Sequence, residues 1–522
     1  MHLYSSFLHS SFLHSSFLHS SSLQSSFLHE ERASALLTVL ILMTVLLTLI
    51  GTVMAVYHVQ HQFIQQDIQA MQASHTAEGG LHYALGQLKQ DGSWRPEQQP
   101  YPCASEDATC TLSMEAYGGY WRVAAHAGEG TRATALQAFI GTRPPAAFQQ
   151  AVVLTGDQSD LTLAGDTRIR GDVYNARAQV RDAPLGQTSF TGSFDGDAYA
   201  IDAQTEPVFT GSALQATLVR LHEQLILPPT RAQPIAGDLR GAPGSVAPQY
   251  VLAEGNTLLT AADTAITRSP SVVIVQGNLT IQGPLDVHDT SQFIVRDTLS
   301  VHERPGPGAG SQSSAQDAQR PNAQRSGVVG RRALLYAGKH VDLSGWSGDA
   351  QVLSGGSIRI GNATRLTYPS LVYVGRRTAP LEVNEQADRP IEPSEAPRHI
   401  DIQGNATIDG TVILDRPDSN DDDNRFSRDE RIQVGPHARI RGAVYSTTVT
   451  TLHGRVSGTV ATDQFYFYRS PTSYVNWVFG GAINVQERPA PYVMPVDFSE
   501  APGDNLALVH WSEDRSLLSS DE

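Results

Sequence analysis

The feature that most constrains this chain is an uninterrupted apolar stretch near its N-terminus. Residues 35–57 read ALLTVLILMTVLLTLIGTVMAVY and contain no charged residue. A helix that crosses the hydrocarbon core of a bilayer needs about 20 apolar residues, and this stretch has that length. A buried helix of a soluble protein would normally present a polar stripe, whereas the scattered threonines here can hydrogen-bond to their own helix. The sequence therefore predicts a membrane span over residues 35–57.

The residues that flank the span predict its orientation. Arg32 is the only lysine or arginine close to either end. Basic residues favour the cytoplasmic side of a membrane, so we expect the N-terminus to be cytoplasmic. The chain is then a single-pass inner-membrane protein whose large C-terminal part is periplasmic or extracellular.

Residues 1–33 precede the span and contain five tandem copies of an SSFLH-like unit between residues 5 and 29. A period of five matches neither a coiled-coil heptad nor the period of two of a strand. The segment also has no basic start and no continuous apolar region, so it resembles no ordinary signal peptide. We expect this leader to be disordered or removed, and a start codon assigned too far upstream is the alternative.

The net charge of the chain bears on its binding partners, and its cysteines bear on the cellular compartment. The chain has 37 basic and 53 acidic residues and a net charge of −16, which argues against nucleic acid as a partner. Cys103 and Cys110 are the only cysteines, and both follow the span, on the side where disulfides persist. We expect them to close a small disulfide loop, with two buried free thiols as the alternative.

The helix is predicted to continue beyond the membrane as an amphipathic segment. Apolar residues recur there at the i, i+4, i+7 spacing of one helix face. They are Ile64, Ile68 and Met71, followed by Leu81, Leu85 and Leu88.

The two ends of this long helix resemble those of a known family. The start reads Arg32-Ala33-Ser34-Ala35-Leu36-Leu37, and the far end reads Ala77-Glu78-Gly79-Gly80-Leu81. Together they resemble the N-terminal segment of PilX-type minor pilins of type IV pili, over residues 30–90. The resemblance implies cleavage between Ala33 and Ser34, a closing motif at Glu78, Gly79, Gly80 and Leu81, and assembly with other pilins or pseudopilins.

Two positions depart from the family pattern. Prepilin peptidases generally act after Gly, and Ala33 occupies that place; the fifth mature residue of major pilins is Glu, and here it is Thr38. That Glu is thought to neutralise the N-terminal amine of a neighbouring subunit within lipid, where an unpaired charge is costly. A subunit with Thr38 cannot form this pair, so the resemblance implies a tip or priming position in the filament.

The exported part is predicted to be mainly β. Residues 91–145 form a small β region that contains both cysteines, and residues 146–498 repeat a short strand-corner-strand phrase. In this phrase an isoleucine (Ile169, Ile281, Ile408, Ile440) is followed two residues later by Gly. Alternate side chains point to one face of a strand, and Gly permits a tight corner. We expect a parallel β-solenoid, resembling a β-helix, because such units must stack to bury an apolar face; a β-sandwich is the alternative.

Three segments do not follow the repeated phrase. Residues 212–227 have Leu214, Leu218 and Leu221 at helical spacing before a Pro pair. Residues 304–326 are rich in Gly, Pro, Ser and Gln and are predicted to be a flexible loop. Residues 499–522 are predicted to be an acidic, frayed tail.

One acidic segment has the spacing of a calcium loop. Oxygen ligands at positions 1, 3, 5, 7 and 12 are typical of an EF-hand, but position 6 carries Asp423 in place of Gly. Calcium is therefore a candidate ligand, with an acidic solvated loop as the alternative, and no other cofactor is expected. The candidate ligands are Asp418, Asn420, Asp422, Asn424, Asp429 and Glu430.

Catalysis finds little support in the sequence. Asp401, Asp409 and Asp415 could supply paired carboxylates, but an acidic chain offers many such pairs, and no nucleophile elbow, zinc motif or phosphate loop is present. We therefore expect a structural protein that primes, caps or adheres, in which the aromatic stretch at 465–477 could contact a surface ligand. The alternative is a membrane-anchored β-solenoid enzyme that acts on polysaccharide.

Overall fold

The computed structural model describes residues 30–92, 94–96, 100–105, 108–128, 134–156, 160–202, 206–226, 233–234, 249–260, 271–288, 291–303, 327–375, 397–416, 429–498 and 505–513. The leader repeat, the loop predicted over 304–326 and residues 418–424 of the predicted calcium loop lie outside these ranges. The chain divides after Gln69 into two units, which are described in turn.

The first unit consists, in its described part, of the N-terminal portion of one helix. This helix, α1 (Glu30–Gln90), has 61 residues and continues without interruption into the second unit. Its length follows from the sequence, because no proline occurs between its ends and the residues are mostly good helix formers.

The second unit begins with the end of α1 and a five-stranded antiparallel sheet. In order of pairing its strands are β1 (Pro100–Ser105), β2 (Ala108–Tyr117), β3 (Tyr120–Ala127), β4 (Thr134–Thr142) and β35 (Leu506–Glu513).

The edge strand β35 differs from the tail predicted over residues 499–522. Residues 506–513 pair antiparallel with β4, and Leu506 lies opposite Thr142. The reason is local, because the run Leu506-Ala507-Leu508-Val509 is apolar, although acidic residues surround it. Leu506 and Val509 are buried, so the segment extends the sheet and its core.

The rest of the second unit is a parallel β-solenoid in which the chain passes repeatedly through three stacks of strands. Residues in neighbouring turns are paired in parallel register, which excludes the antiparallel β-sandwich and confirms the predicted solenoid. The first stack contains β12 (Gln233–Pro234), β13 (Gln249–Ala253), β15 (Ser271–Val275), β18 (Gln292–Val295), β21 (Ala333–Ala337), β24 (Ala350–Ser354), parts of β26 (Arg365–Val374), β28 (Thr407–Leu414), β30 (Arg439–Leu452) and β31 (Arg455–Arg469), then β5 (Val152–Leu154), β8 (Val173–Asn175) and β11 (Ala198–Ala200).

The other two stacks form the remaining sides of the solenoid. The second contains β14 (Thr257–Leu259), β16 (Leu279–Gln282), β19 (Thr298–His302), β22 (His340–Leu343), β25 (Ser357–Ile360), β27 (His399–Ile402), β29 (Arg431–Val434) and the C-terminal part of β30. The third contains β17 (Leu285–Val287), β20 (Val328–Gly330), β23 (Trp346–Gly348), the N-terminal parts of β26, β28, β30 and β31, then β34 (Ala482–Asn484), β7 (Arg168–Arg170) and β10 (Ser193–Asp195). The described strands outside the stacks are β32 (Thr472–Val475), a hairpin partner of β31, and the three-stranded sheet of β33 (Trp477–Phe479), β6 (Leu161–Ala164) and β9 (Val180–Asp182).

At one end of the solenoid, the order of the strands within the stacks differs from their order in the sequence. Strands β5, β7 and β8 come first in the solenoid segment, yet β5 pairs with β31 and β7 pairs with β34. The early strands therefore extend the end of the solenoid formed by the latest ones. This arrangement pairs strand edges that would otherwise present free N–H and C=O groups.

The core of the solenoid follows the predicted phrase. Ile169, Ile281, Ile408 and Ile440 all point inward and are at most 1% exposed. Their strands alternate buried and exposed residues, as in the exposed-buried-exposed pattern of β7. Burial of these side chains drives the stacking, because a single turn of the solenoid cannot enclose them.

A helix covers the outer face of the first stack. Helix α2 (Ser212–Ile226) buries Leu214, Leu218 and Leu221, as the spacing predicts. The carboxylate of Asp497 caps it, with Oδ1 accepting from Ala213 N at 2.7 Å and Oδ2 from Leu214 N at 2.9 Å. Burial raises the pKa of Asp497, although these hydrogen bonds act in the opposite direction. The C-terminal segment thus fixes the start of a helix that is distant in sequence.

The glycines at the corners are positions where no larger residue fits. Gly410, Gly442 and Gly458 lie opposite one another in register in β28, β30 and β31. Gly442 has a φ of +150°, and a Cβ there would overlap the carbonyl oxygen of Gly410. The close approach of successive turns therefore requires Gly.

Replacement of this corner glycine tests the stacking. We expect Gly442→Ala to lower the free energy of unfolding by about 2–5 kcal/mol, because it adds overlap to a strained backbone. Thr407→Ala is the control: it shortens an outward-facing side chain and should change stability by about 0.5 kcal/mol or less. Denaturant unfolding of the detergent-solubilised chain measures both. Equal small effects would contradict the close contact of the turns.

Candidate functional site

The exposed apolar surface of α1 is the most distinctive surface in the described part of the chain. Every large apolar side chain from Leu37 to Ile68 is between 47% and 66% exposed. None of the residues in the most apolar 18-residue window of the helix is buried. By length and composition this helix could cross a membrane once, and water would be an unfavourable surrounding for so much apolar surface.

Three threonines within this surface form hydrogen bonds to the helix itself. The hydroxyl of Thr44 donates to Ile41 O at 2.8 Å, Thr48 to Val45 O at 2.8 Å and Thr52 to Leu49 O at 2.8 Å. These bonds remove the need for external partners, which an apolar medium cannot provide. The helix surface is therefore suited to lipid or to other apolar helices.

The far end of α1 packs against the five-stranded sheet. Ala77, Leu81, Ala84 and Leu88 recur at helical spacing and are fully buried. They share a core with Val123, Ala125, Ile140 and other residues of the sheet. The small side chains of Ala77 and Ala84 permit a close approach of the helix backbone to the strands.

Gly80 lies at the closest point of this contact. A Cβ at Gly80 would lie 2.5 Å from Cys110 Sγ and 3.2 Å from both Cys103 Sγ and Ala125 Cβ. Cys103 and Cys110 are bonded through their sulfur atoms, with their Cα atoms 5.8 Å apart. The disulfide joins β1 to β2 directly beneath the helix, so the glycine and the cysteines form one packed unit.

The residues of the predicted closing motif thus have different surroundings. Gly80 and Leu81 face the sheet, whereas Glu78 is half-exposed and lies 3.5 Å from His75 Nδ1 within the helix. Ala33 and Ser34 lie in the first turns of α1, and cleavage between them remains a prediction.

The predicted calcium ligands are only partly within the described residues. Glu430 forms an ion pair with Arg416 Nε at 3.3 Å. Asp429 is also described, whereas the other four candidates are not. Within the described ranges no group of three or more His, Cys, Asp or Glu side chains has an arrangement that could hold a metal. The calcium loop stays a prediction.

The structure places Asp401 and Asp409, two of the carboxylates considered for catalysis, in different stacks. Asp401 lies in the second stack, in register with Arg359 and Gln433. Asp409 lies in the third stack, and its Oδ2 accepts from Arg441 at 3.1 Å. Burial raises the pKa of Asp409, although Arg441 opposes this. Asp415 follows β28 and is buried. No pair among these three shares a stack.

The aromatic stretch considered for adhesion is only partly buried. Phe465 and Phe467 are buried, and the rings of Phe467 and Phe479 stack with centroids 4.9 Å apart. Tyr466, Tyr474 and Trp477 are half-buried, and Tyr468 is 58% exposed. The two buried phenylalanines therefore pack inside this end of the solenoid, and an adhesive role for the others stays a prediction.

The third stack carries a feature that we did not predict from the sequence. Its outward positions include six arginines, and a groove of about 570 Å³ lies at one end of them. The sequence signal is the repeated triplet Arg-Ile-Arg at 168–170 and 439–441, in which Ile is internal and both arginines are outward. The arginines are Arg168, Arg170, Arg365, Arg439, Arg441 and Arg455.

Comparison with known proteins does not assign the chain to a family. No protein-family model matches the chain, and no curated protein matches it. Among solved structures, the competence-associated pilin ComZ from Thermus thermophilus is similar at 10% identity, over 85% of this chain and 97% of that chain, with a TM-score of 0.18. A TM-score this low supports no conclusion about fold or function.

Replacement of Gly80 tests the packing of α1 on the disulfide. Gly80→Ala should lower the free energy of unfolding of the second unit by about 1–3 kcal/mol through overpacking. The matched control is Gly86→Ala in the same helix, where a Cβ meets no atom within 4 Å. It should be neutral or stabilising by up to about 1 kcal/mol, because Ala favours helix more than Gly does. Unfolding followed by near-UV circular dichroism measures both, and a shift of both variants in the same direction would contradict the contact.

Proposed function

We propose that this chain is a structural, minor-pilin-like component of a type IV pilus or a related secretion filament. The observation that carries the proposal is the exposed apolar surface of α1 from Leu37 to Ile68. The same helix continues to the Glu78-Gly79-Gly80-Leu81 motif, where Gly80 and Leu81 pack on the sheet. A helix with an apolar first half and a docked second half fits a subunit that is held in a membrane before assembly.

The partners follow from the same surface. An apolar helix can leave a bilayer at low cost only if another apolar surface replaces the lipid, and the helices of other pilins or pseudopilins would provide one. The inner membrane is thus the first partner and the filament core the second. The N-terminus would be cytoplasmic and the solenoid periplasmic or extracellular, where the bond between Cys103 and Cys110 is favoured.

The position in the filament is inferred from one residue. Thr38 cannot neutralise the N-terminal amine of a neighbour as a Glu would, so this subunit would suit a priming or tip position. The PilX-type assignment is drawn from the start of the helix at residues 32–37 and the motif at residues 77–81 taken together. An adhesive role would belong to the solenoid.

The proposed role needs no catalytic group. The alternative, a membrane-anchored enzyme acting on polysaccharide, would need a carboxylate pair across a substrate. Asp401 and Asp409 belong to different stacks, and Asp409 is engaged by Arg441. No observation therefore favours the enzyme over the filament subunit.

The N-terminus of the protein purified from membranes and from sheared surface filaments tests the proposal. We expect a mature start at Ser34, carrying an N-methyl group, in both fractions. Ala33→Gly should be processed at least as completely, because prepilin peptidases generally act after Gly. Ala33→Leu should accumulate with its leader and be absent from filaments.

Ala35→Leu is the matched control, since it adds the same bulk two residues away and should be processed normally. An intact leader on the wild-type protein, together with its absence from filaments, would contradict the proposal. The chain would then be a signal-anchored surface protein.

A further inference from the structure

The outward positions of the third stack form one continuous column. Register pairing links each residue to the next across nine successive pairings. Most of these residues alternate with fully or almost fully buried neighbours, and Ser193 at one end lies beside the half-buried Phe194. In order along the stack the column reads Asp286, Val329, Ser347, Arg365, Thr407, Arg439, Arg455, Ala482, Arg168 and Ser193.

Neighbouring parallel strands lie about 4.8 Å apart, so the side chains of this column are evenly spaced. Arg439 and Arg455 are direct register partners, and like charges that face each other in this way are destabilising. Arg455 is relieved by Glu487, whose Oε2 lies 2.5 Å from Arg455 Nη2. Arg439 forms no ion pair with any residue that the structure describes, and the same holds for Arg168.

The adjoining outward positions cancel only part of the positive charge of this stack. Asp409 pairs with Arg441 at 3.1 Å, and Asp195 pairs with Arg170 at 3.3 Å. From β26 to β10 the outward positions of the third stack therefore hold six arginines and two aspartates. A positive surface of this kind is unusual on a chain with a net charge of −16.

The column leads into the groove. Val329, Ser347 and Arg365 line it, together with Arg331. Its floor includes Gly348, where φ is +130° and a Cβ would overlap Gly330 O. The volume of about 570 Å³ lies within the range of about 300–1,000 Å³ that is usual for ligand sites. Glu303 and Asp349 also line the groove, and the Asp349 carboxylate accepts from Arg332 N at 2.9 Å.

We propose that this arginine column and the adjoining groove bind an extended acidic polysaccharide of the polyuronate class. Guanidinium groups bind carboxylates through two parallel hydrogen bonds, and a polyuronate presents one carboxylate per sugar. The arginines of the column lie one or two positions apart, with Thr407 and Ala482 between them, so that carboxylates along an extended chain can pair with arginines at these intervals. The groove accepts a sugar ring at one end. This inference depends on the solenoid alone and goes beyond the proposed role in a filament.

The same surface is poorly suited to single-stranded nucleic acid. Proteins that bind single strands stack bases on aromatic side chains along the charged groove. The column contains Asp, Val, Ser, Thr, Ala and Arg but no aromatic residue.

Binding of a labelled, size-defined oligogalacturonate to the full chain in nonionic detergent tests the proposal. Fluorescence anisotropy should show binding that weakens with salt, and the fully methyl-esterified oligomer should not bind. The triple variant Arg168→Gln, Arg365→Gln, Arg439→Gln should bind about tenfold more weakly, because each exposed charge pair contributes little alone. The single variant Arg439→Gln should lower affinity measurably and guards against misfolding of the triple.

The matched control removes three arginines outside the column, Arg177→Gln, Arg181→Gln and Arg359→Gln. It makes the same change in net charge and should leave the affinity unchanged. No binding by the wild type, equal losses in both triples, or tighter binding of single-stranded DNA of the same charge would each overturn the proposal. Circular dichroism of every variant confirms that only folded protein is compared.

Discussion

The apolar surface of α1 is the constraint on which the rest of the account depends. From Leu37 to Ile68 its large side chains are all exposed, and burial of this surface in lipid would recover roughly 1.5–3 kcal/mol per side chain. The hydroxyls of Thr44, Thr48 and Thr52 donate to backbone carbonyls of the same helix, so that these three side chains do not oppose the transfer. By length and composition this helix could cross a membrane once. In the proposed filament the apolar helices of other subunits would replace the lipid around it, which connects the helix with the proposed function.

Within the second unit, a few small residues of α1 make the contact between the end of the helix and the five-stranded sheet. Ala77, Gly80 and Ala84 bring the backbone of α1 close to the disulfide and to β3, while Leu81 and Leu88 fill the space between. The five-stranded sheet in turn packs on the solenoid, where Tyr117 donates to Ala333 O at 3.0 Å. Because the outer face of the first stack is covered by α2 and this sheet, the third stack is left to present its charged side chains to the exterior.

Much of the fold is predictable from short-range patterns. The inward isoleucines, the corner glycines, the leucines of α2 and the spacing of Ala77 and Leu81 each define an element from residues close in sequence. The pairing of β5 with β31 and of β35 with β4 is not predictable in this way, because it joins segments about 300 residues apart or more. The arginine column escaped prediction for the same reason. Arg365, Arg439, Arg455 and Arg168 become neighbours only through the register of the stack, although the two Arg-Ile-Arg triplets already mark outward pairs.

The central claim is that residues 35–57 lie in a membrane with the solenoid on its outer side, and protease protection tests it most directly. The full chain should be digested from the outside in spheroplasts without detergent and protected in inverted inner-membrane vesicles, and it should resist extraction at high pH. Digestion of the solenoid in inverted vesicles, or release of the intact chain at high pH, would contradict the account.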